Sequence, residues 1–225
     1  MDIFYSVVRF FTSGGVFMLP ILAVAAVAVA IAIERYITIT LMRAKNRALW
    51  AKVQPAIAAG DFDKAREITG NEETALARLL GTGLALQGAV RRRDDIKEAM
   101  QESMMEILPQ LEKRTHYLAT FANLATLLGL LGTVSGLIHA FSSVSTANPA
   151  EKASLLSASI SEAMNCTAFG LMVAVPTLFI HAFLQTKTSQ LIDGLETAAI
   201  KFLNALTTRA TAKVQAARIE PARAA

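Results

Sequence analysis

Three stretches of this chain carry no charged residue: 10–33, 115–150 and 163–186. Each exceeds the roughly 20 residues that take a helix across the hydrocarbon of a bilayer. In lipid, the backbone is satisfied only within helices or closed barrels. No period-2 alternation points to barrel strands, so the stretches predict three transmembrane helices, at about 16–38, 117–141 and 163–184. The charged fraction of 18%, against roughly 25% for ordinary soluble domains, fits this reading. The expected fold class is an all-α integral membrane protein.

The distribution of cations sets the expected topology. Of 22 Lys and Arg, thirteen lie in 43–114 and six after 184. With three spans those two regions share one side, and the positive-inside rule makes it the cytoplasm. The N-terminus and the loop 142–162 then lie in the periplasm, and the C-terminus lies inside. The net charge of +4 follows from topology and does not argue for a nucleic-acid partner. The first span is not a cleaved signal: Arg35, Arg43, Lys45 and Arg47 follow it, and only Arg9 precedes it, the reverse of a secretory leader. The lone Cys166 excludes an internal disulfide.

The chain therefore divides into a periplasmic segment 1–15, span 16–38, a cytoplasmic helical region 39–116, span 117–141, a periplasmic loop 142–162, span 163–184, and a cytoplasmic extension and tail 185–225. "FFTSGG" in the first segment reads as an interfacial turn or short amphipathic helix. "AKVQPAIAAGDFDKAREIT" reads as two short helices joined at Gly60-Asp61, with Asp61 capping the second. "EETALARLLGTGLALQG" is a third helix, and "RRRDD" at 91–95 a solvated helix start. Ile96, Met100, Met104, Ile107/Leu108 and Leu111 have helical spacing. That helix should run without a stop, past Pro109, into the second span. Leu191, Leu195, Ile200 and Leu203 continue the third span's helix, and the tail from about 210 should fray or be disordered. The second and third helices thus extend into the cytoplasm.

"LLGLLGTVSGLIHAF", residues 127–141, gives up bulk for glycine and accepts hydroxyls. On a helix Asn123, Thr126, Gly129/Leu130, Thr133, Gly136/Leu137 and Ala140 form one stripe. In the third span Ala163, Thr167, Gly170, Ala174, Thr177 and His181 step in the same way. Small residues let helices approach closely in lipid, so Gly129, Gly132, Gly136 and Gly170 are expected at helix contacts within and between subunits. Asn123, Thr126 and Thr177 are candidates to face a pore. A lone Thr in a span ordinarily bonds its own preceding turn and does nothing more. His139, His116 and His181 read as interfacial, and none has metal-ligand spacing; no metal or cofactor is assigned. Glu162 is either an acidic cap of the third span or a water-facing carboxylate at the mouth of a pathway. Pro176 frees the carbonyl of Met172 and allows a bend. No Asp, Glu or Lys lies deep in a span. A hydroxyl does not titrate at biological pH, so an ion path here needs a titrating group from elsewhere.

"LLGLLGTVSGLI", "ISEAMNCTAFGLMVAVPT" and the "ERY" after the first span together resemble the MotA/TolQ/ExbB proton-channel family, on its TolQ/ExbB branch, over about 16–200. The resemblance implies a homopentamer in a bacterial inner membrane. It would enclose two copies of a one-span partner resembling ExbD or TolR, whose membrane Asp takes up and releases the proton. Carried over by motif position, Thr133 and Thr167 correspond to pore-lining threonines and Glu162 to the glutamate opening the third span. The family often has Pro where this chain has Thr126, and Trp where it has Ser135. The implied function is a channel-forming subunit of a proton-driven motor that does mechanical work on an envelope partner, in transport, envelope integrity or gliding, with Na⁺ as an alternative ion. The rival of the same fold is a non-conducting scaffold. An intramembrane hydrolase would need a Ser/His or paired-Asp constellation, and Ser135 and His139 offer only an i, i+4 spacing. The chain is thus read as a non-enzyme.

Overall fold

The computed structural model describes residues 15–88 and 92–223, with the side chains of the last helix described to Arg209. Among these residues there are six helices: α1 (Met18–Ala59), α2 (Phe62–Gly70), α3 (Ala75–Leu86), α4 (Arg93–Glu112), α5 (Thr115–Thr146) and α6 (Lys152–Arg223). No β-strand occurs among the described residues. Helical segments in α1, in α4 through α5 and in α6 are long and apolar enough to cross a membrane. Their apolar windows are at most 28% buried, so most of their hydrophobic side chains face outward. Phe141, Ile138 and Phe179 are exposed, as suits a surface meant for lipid rather than water.

The chain forms two compact units, one of residues up to Arg35 with Arg114–Gln185, the other of Tyr36–Lys113 with Thr186 onward. The first is built from the start of α1, from α5 and from the first half of α6. Its core is small: Met18, Ile21, Ala122, Ala125, Cys166, Phe169 and Ala174. The second has a core of larger residues, including Leu49, Leu79, Leu84, Ile107, Leu195 and Phe202. The Phe62 and Phe202 rings meet edge-on there, with centroids 6.0 Å apart. Each such buried side chain contributes about 1.5–3 kcal/mol.

Local signals explain the element ends in the second unit. Gly60 ends α1 with φ +72, a left-handed conformation that glycine adopts without steric cost. Asp61 then caps α2, its side chain accepting from Lys64 N at 3.1 Å, as the sequence predicts. Thr74 caps α3 by accepting from Ala77 N at 3.1 Å. Asp94 and Asp95 occupy the first turn of α4, where carboxylates complement the helix dipole. Ile96, Met100, Ile107 and Leu111 bury their side chains as their spacing requires.

Four expectations are corrected. The helix before Gly60 is not a separate short one: α1 runs unbroken through Pro55, because Val53, Ala56 and Ile57 are drawn into the core. α4 does not continue into the second span. It ends at Glu112, and Arg114 takes φ 64, a conformation costing a non-glycine residue roughly 1–2 kcal/mol. Two contacts hold the break: Arg114 pairs with Glu34 at 2.8 Å, and Arg35 Nε donates to Thr115 Oγ1 at 3.2 Å. The segment 142–162 is mostly helix, since α5 reaches Thr146 and α6 begins at Lys152. The tail beyond 210 is helical to Arg223; its Ala-rich composition favours helix and outweighs the expected fraying. The segment 1–14, with most of "FFTSGG", lies outside the described residues.

Candidate functional site

In the first unit α5 and α6 pack so closely that no side chain fits at the crossing. A Cβ on Gly170 would lie 2.7 Å from the Ala125 carbonyl oxygen and 3.1 Å from Gly129 Cα. A Cβ on Gly129 would lie 3.2 Å from Thr167 Cα. Further along, a Cβ on Gly136 would lie 2.7 Å from that of Ala163, and one on Gly132 would overlap Cys166 Sγ. Gly129, Gly132, Gly136 and Gly170 therefore lie at the contact of the two helices within one chain. Thr167 Oγ1 donates across the seam to the Gly129 carbonyl at 2.7 Å, so backbone contact is joined by a polar tie.

The stripe read on α5 separates into two rows. Ala122, Ala125, Gly129, Gly132 and Ala140 are buried. Asn123, Thr126, Leu130 and Leu137 are exposed, and Thr133 is half-buried. Neighbouring positions on a helix differ by about 100°, so the glycine row seals the helix pair while the hydroxyl row stands beside it, uncovered. On α6 the stripe holds together: Ala163, Gly170, Ala174 and Thr177 are buried and Thr167 half-buried. Three hydroxyls bond within their own helix: Thr126 to Ala122 O at 3.2 Å, Thr133 to Leu130 O at 2.7 Å and Thr177 to Val173 O at 2.7 Å. Thr177 is buried. Thr133 and Thr167 thus differ in kind, one bonded along its helix and the other between helices.

A polar cleft of about 410 Å³ opens at one end of this pair, lined by Glu162, His139, Ser135, Ser143 and Ser159 among others. Gly15 belongs to it: with φ +74 it takes the left-handed conformation, and a Cβ there would collide with the Glu162 carboxylate. Glu162 itself is exposed. It does not cap α6, which begins at Lys152 with no acidic residue in its first turn, about three turns earlier. The capping alternative for Glu162 falls for that reason. His139, Ser143 and Ser159 were not singled out for this place by sequence. Only the antiparallel register, set by glycines, brings them to Glu162; the i, i+4 spacing of Ser135 and His139 was the one available hint. Among the described residues, no group of three or more His, Cys, Asp or Glu is placed to hold a metal.

The pattern of the MotA/TolQ/ExbB proton channel family matches residues 71–197. The chain belongs to this family. A Synechocystis sp. relative described as biopolymer transport protein ExbB-like 3 is 31% identical over 173 residues, covering 76% of this chain and 81% of that protein. A second from the same organism, ExbB-like 1, is 32% identical over 190 residues, covering 81% and 72%. The Tol-Pal system protein TolQ of Haemophilus influenzae is 33% identical over 110 residues, covering 49% of this chain and 46% of TolQ. The MotA/TolQ/ExbB match takes in the whole α5–α6 seam and both hydroxyl-bearing faces. Together with three long apolar helices it makes the chain a multi-pass membrane protein of a channel family.

Proposed function

We propose that this chain is the channel-forming subunit of a proton-driven motor in a bacterial inner membrane, coupling proton-motive force to mechanical work on an envelope partner. Five copies would surround two one-span partners of the ExbD/TolR kind, which supply the titrating membrane Asp. The N-terminus would face the periplasm and the C-terminus the cytoplasm, following the cation distribution. The names of the relatives, biopolymer transport and Tol-Pal, support envelope work of the TonB/Tol type. One observation carries the reading. α5 keeps Asn123 and Thr126 exposed and Thr133 half-buried beside a sealed glycine row, in apolar segments without a carboxylate of their own. A row of hydroxyls turned away from the chain's own core calls for a polar neighbour. Thr133 and Thr167 already donate their hydroxyl protons to carbonyls, but each oxygen keeps lone pairs that can accept from water or a hydrated proton. Glu162, in its cleft, would feed the mouth of the path.

The second reading, a non-conducting scaffold, draws on the same hydroxyls: Thr133 has the local bond of an ordinary membrane threonine. Proton flux separates the two. In vesicles containing the protein with its ExbD/TolR-like partner, Thr133→Val should lower flux at least tenfold while oligomer abundance stays constant, and Thr133→Ser should keep most of it. Glu162→Gln should lose less. Thr167→Val should also lower flux, together with a stability loss of about 1 kcal/mol from its missing interhelical bond. Full flux in the Thr133→Val, Thr167→Val double variant would remove both hydroxyls from the pathway. A wild-type complex without flux would leave the scaffold.

A further inference from the structure

The second unit contains a pocket that the proton pathway does not use. It has a volume of about 310 Å³ and is lined by Arg43, Asn46, Arg47 and Trp50 of α1, with Gly194 and Ala198 of α6 opposite. The four α1 residues are spaced i, i+3, i+4 and i+7, which puts them on one helical face. No carboxylate lines the pocket. Arg43 donates to Gln190 Oε1 at 3.1 Å, a neutral partner that leaves its charge uncompensated. Arg47 is exposed, and Lys201 Nζ lies 5.8 Å from the centroid of the Trp50 ring, so a third cation stands close by.

We infer that this pocket binds a phosphate-bearing anion, held by the Arg43 and Arg47 guanidiniums with Lys201 close by. A carboxylate has two oxygens and is satisfied by one arginine fork. A phosphate group offers three or more acceptor oxygens, enough for two forks. The volume is at the lower end of ligand pockets, suiting a lipid headgroup or a small phosphate ester rather than a large cofactor. α6 is cut away to make the space: a Cβ on Gly194 would meet nothing within 4 Å. Exposed Tyr36, seven residues before Arg43, shares its face of α1. Lipid phosphate and free phosphate share the required chemistry, and the experiment tells them apart.

The full-length protein is purified in neutral detergent. In one arm, phosphatidylglycerol or phosphatidylcholine is supplied in mixed micelles and retention is read by native mass spectrometry. In the other, inorganic phosphate and glycerol phosphate are titrated by calorimetry. Saturable binding in at least one arm is expected, the arm naming the source, with phosphatidylglycerol retained over phosphatidylcholine if the source is lipid. Both the Arg43→Gln, Arg47→Gln pair and Gly194→Leu should weaken it at least tenfold. Gly194→Leu fills the floor without touching charge, so binding that falls with the arginines but survives Gly194→Leu would reduce the effect to surface attraction and overturn the proposal. Absence of saturable binding in both arms would overturn it equally. If the arginine pair does not yield folded protein by gel filtration, Gly194→Leu alone decides the outcome.

Discussion

α6 passes through both units and packs by opposite means in each. At Gly170 it touches α5 with backbone against backbone. At Phe202 it buries an entire aromatic side chain against Phe62. The contrast follows from the solvent each region is built for. In lipid, burying a leucine gains little, because the tails are as apolar as the side chain, and association rests on close packing and interhelical hydrogen bonds. In water, the same burial contributes about 1.5–3 kcal/mol for each large side chain. The first unit accordingly exposes large side chains such as Phe141, Ile138 and Phe179 and buries its seam on glycines, whereas the second buries large side chains such as Leu79, Leu80 and Phe202. One chain thus needs two rules for what makes a good core residue.

The comparison can be broken most forcefully at Phe202. Phe202→Ala removes a fully buried ring and should cost about 3–5 kcal/mol, read from denaturant unfolding of the purified protein. An unchanged midpoint would mean that the second unit does not depend on large side chains. At Gly170 the damaging change runs the other way. Gly170→Leu forces atoms into the Ala125 carbonyl and the Gly129 backbone, and should cost about 3 kcal/mol with a lower yield of monodisperse oligomer. Normal yield and stability would show that the seam can open without loss. The smallest effect tests whether glycine matters as such. Gly81 lies within α3, and a Cβ there would meet nothing within 4 Å. Gly81→Ala should stabilise by about 0.5–1 kcal/mol through the stiffer backbone. Destabilisation would mean that this glycine serves a contact made by another chain.

The helices were legible because charge and hydropathy report solvent directly: three charge-free stretches became the three long apolar helices. The Asp61 cap and the Ile96–Leu111 stripe were legible because their causes lie within a few residues. The break at Arg114 was not, since its supports, Glu34 and Arg35, lie some eighty residues away. Pro109, the visible local suspect, sits inside an intact helix. At the site, residue type showed that Gly129, Gly132 and Gly170 pack. It could not show that the hydroxyl row lies one position over from them, because small and polar residues alike look unlike leucine on a helical wheel. His139 joined Glu162 only through the register of two antiparallel helices. Nothing in either helix's own sequence states that register.

The side-by-side rows on α5 also restrict how its sequence can diverge. Residues there can be exchanged one at a time while each row keeps its task. A deletion or insertion of one residue between Ala122 and Gly136 cannot be absorbed in that way. It would rotate everything beyond it by about 100°, turning the glycines out of the seam in either case and, for a deletion, the threonines into it. Length, more than composition, is then the inherited property of this helix, and descendants of the chain should accumulate substitutions along α5 while keeping its residue count fixed.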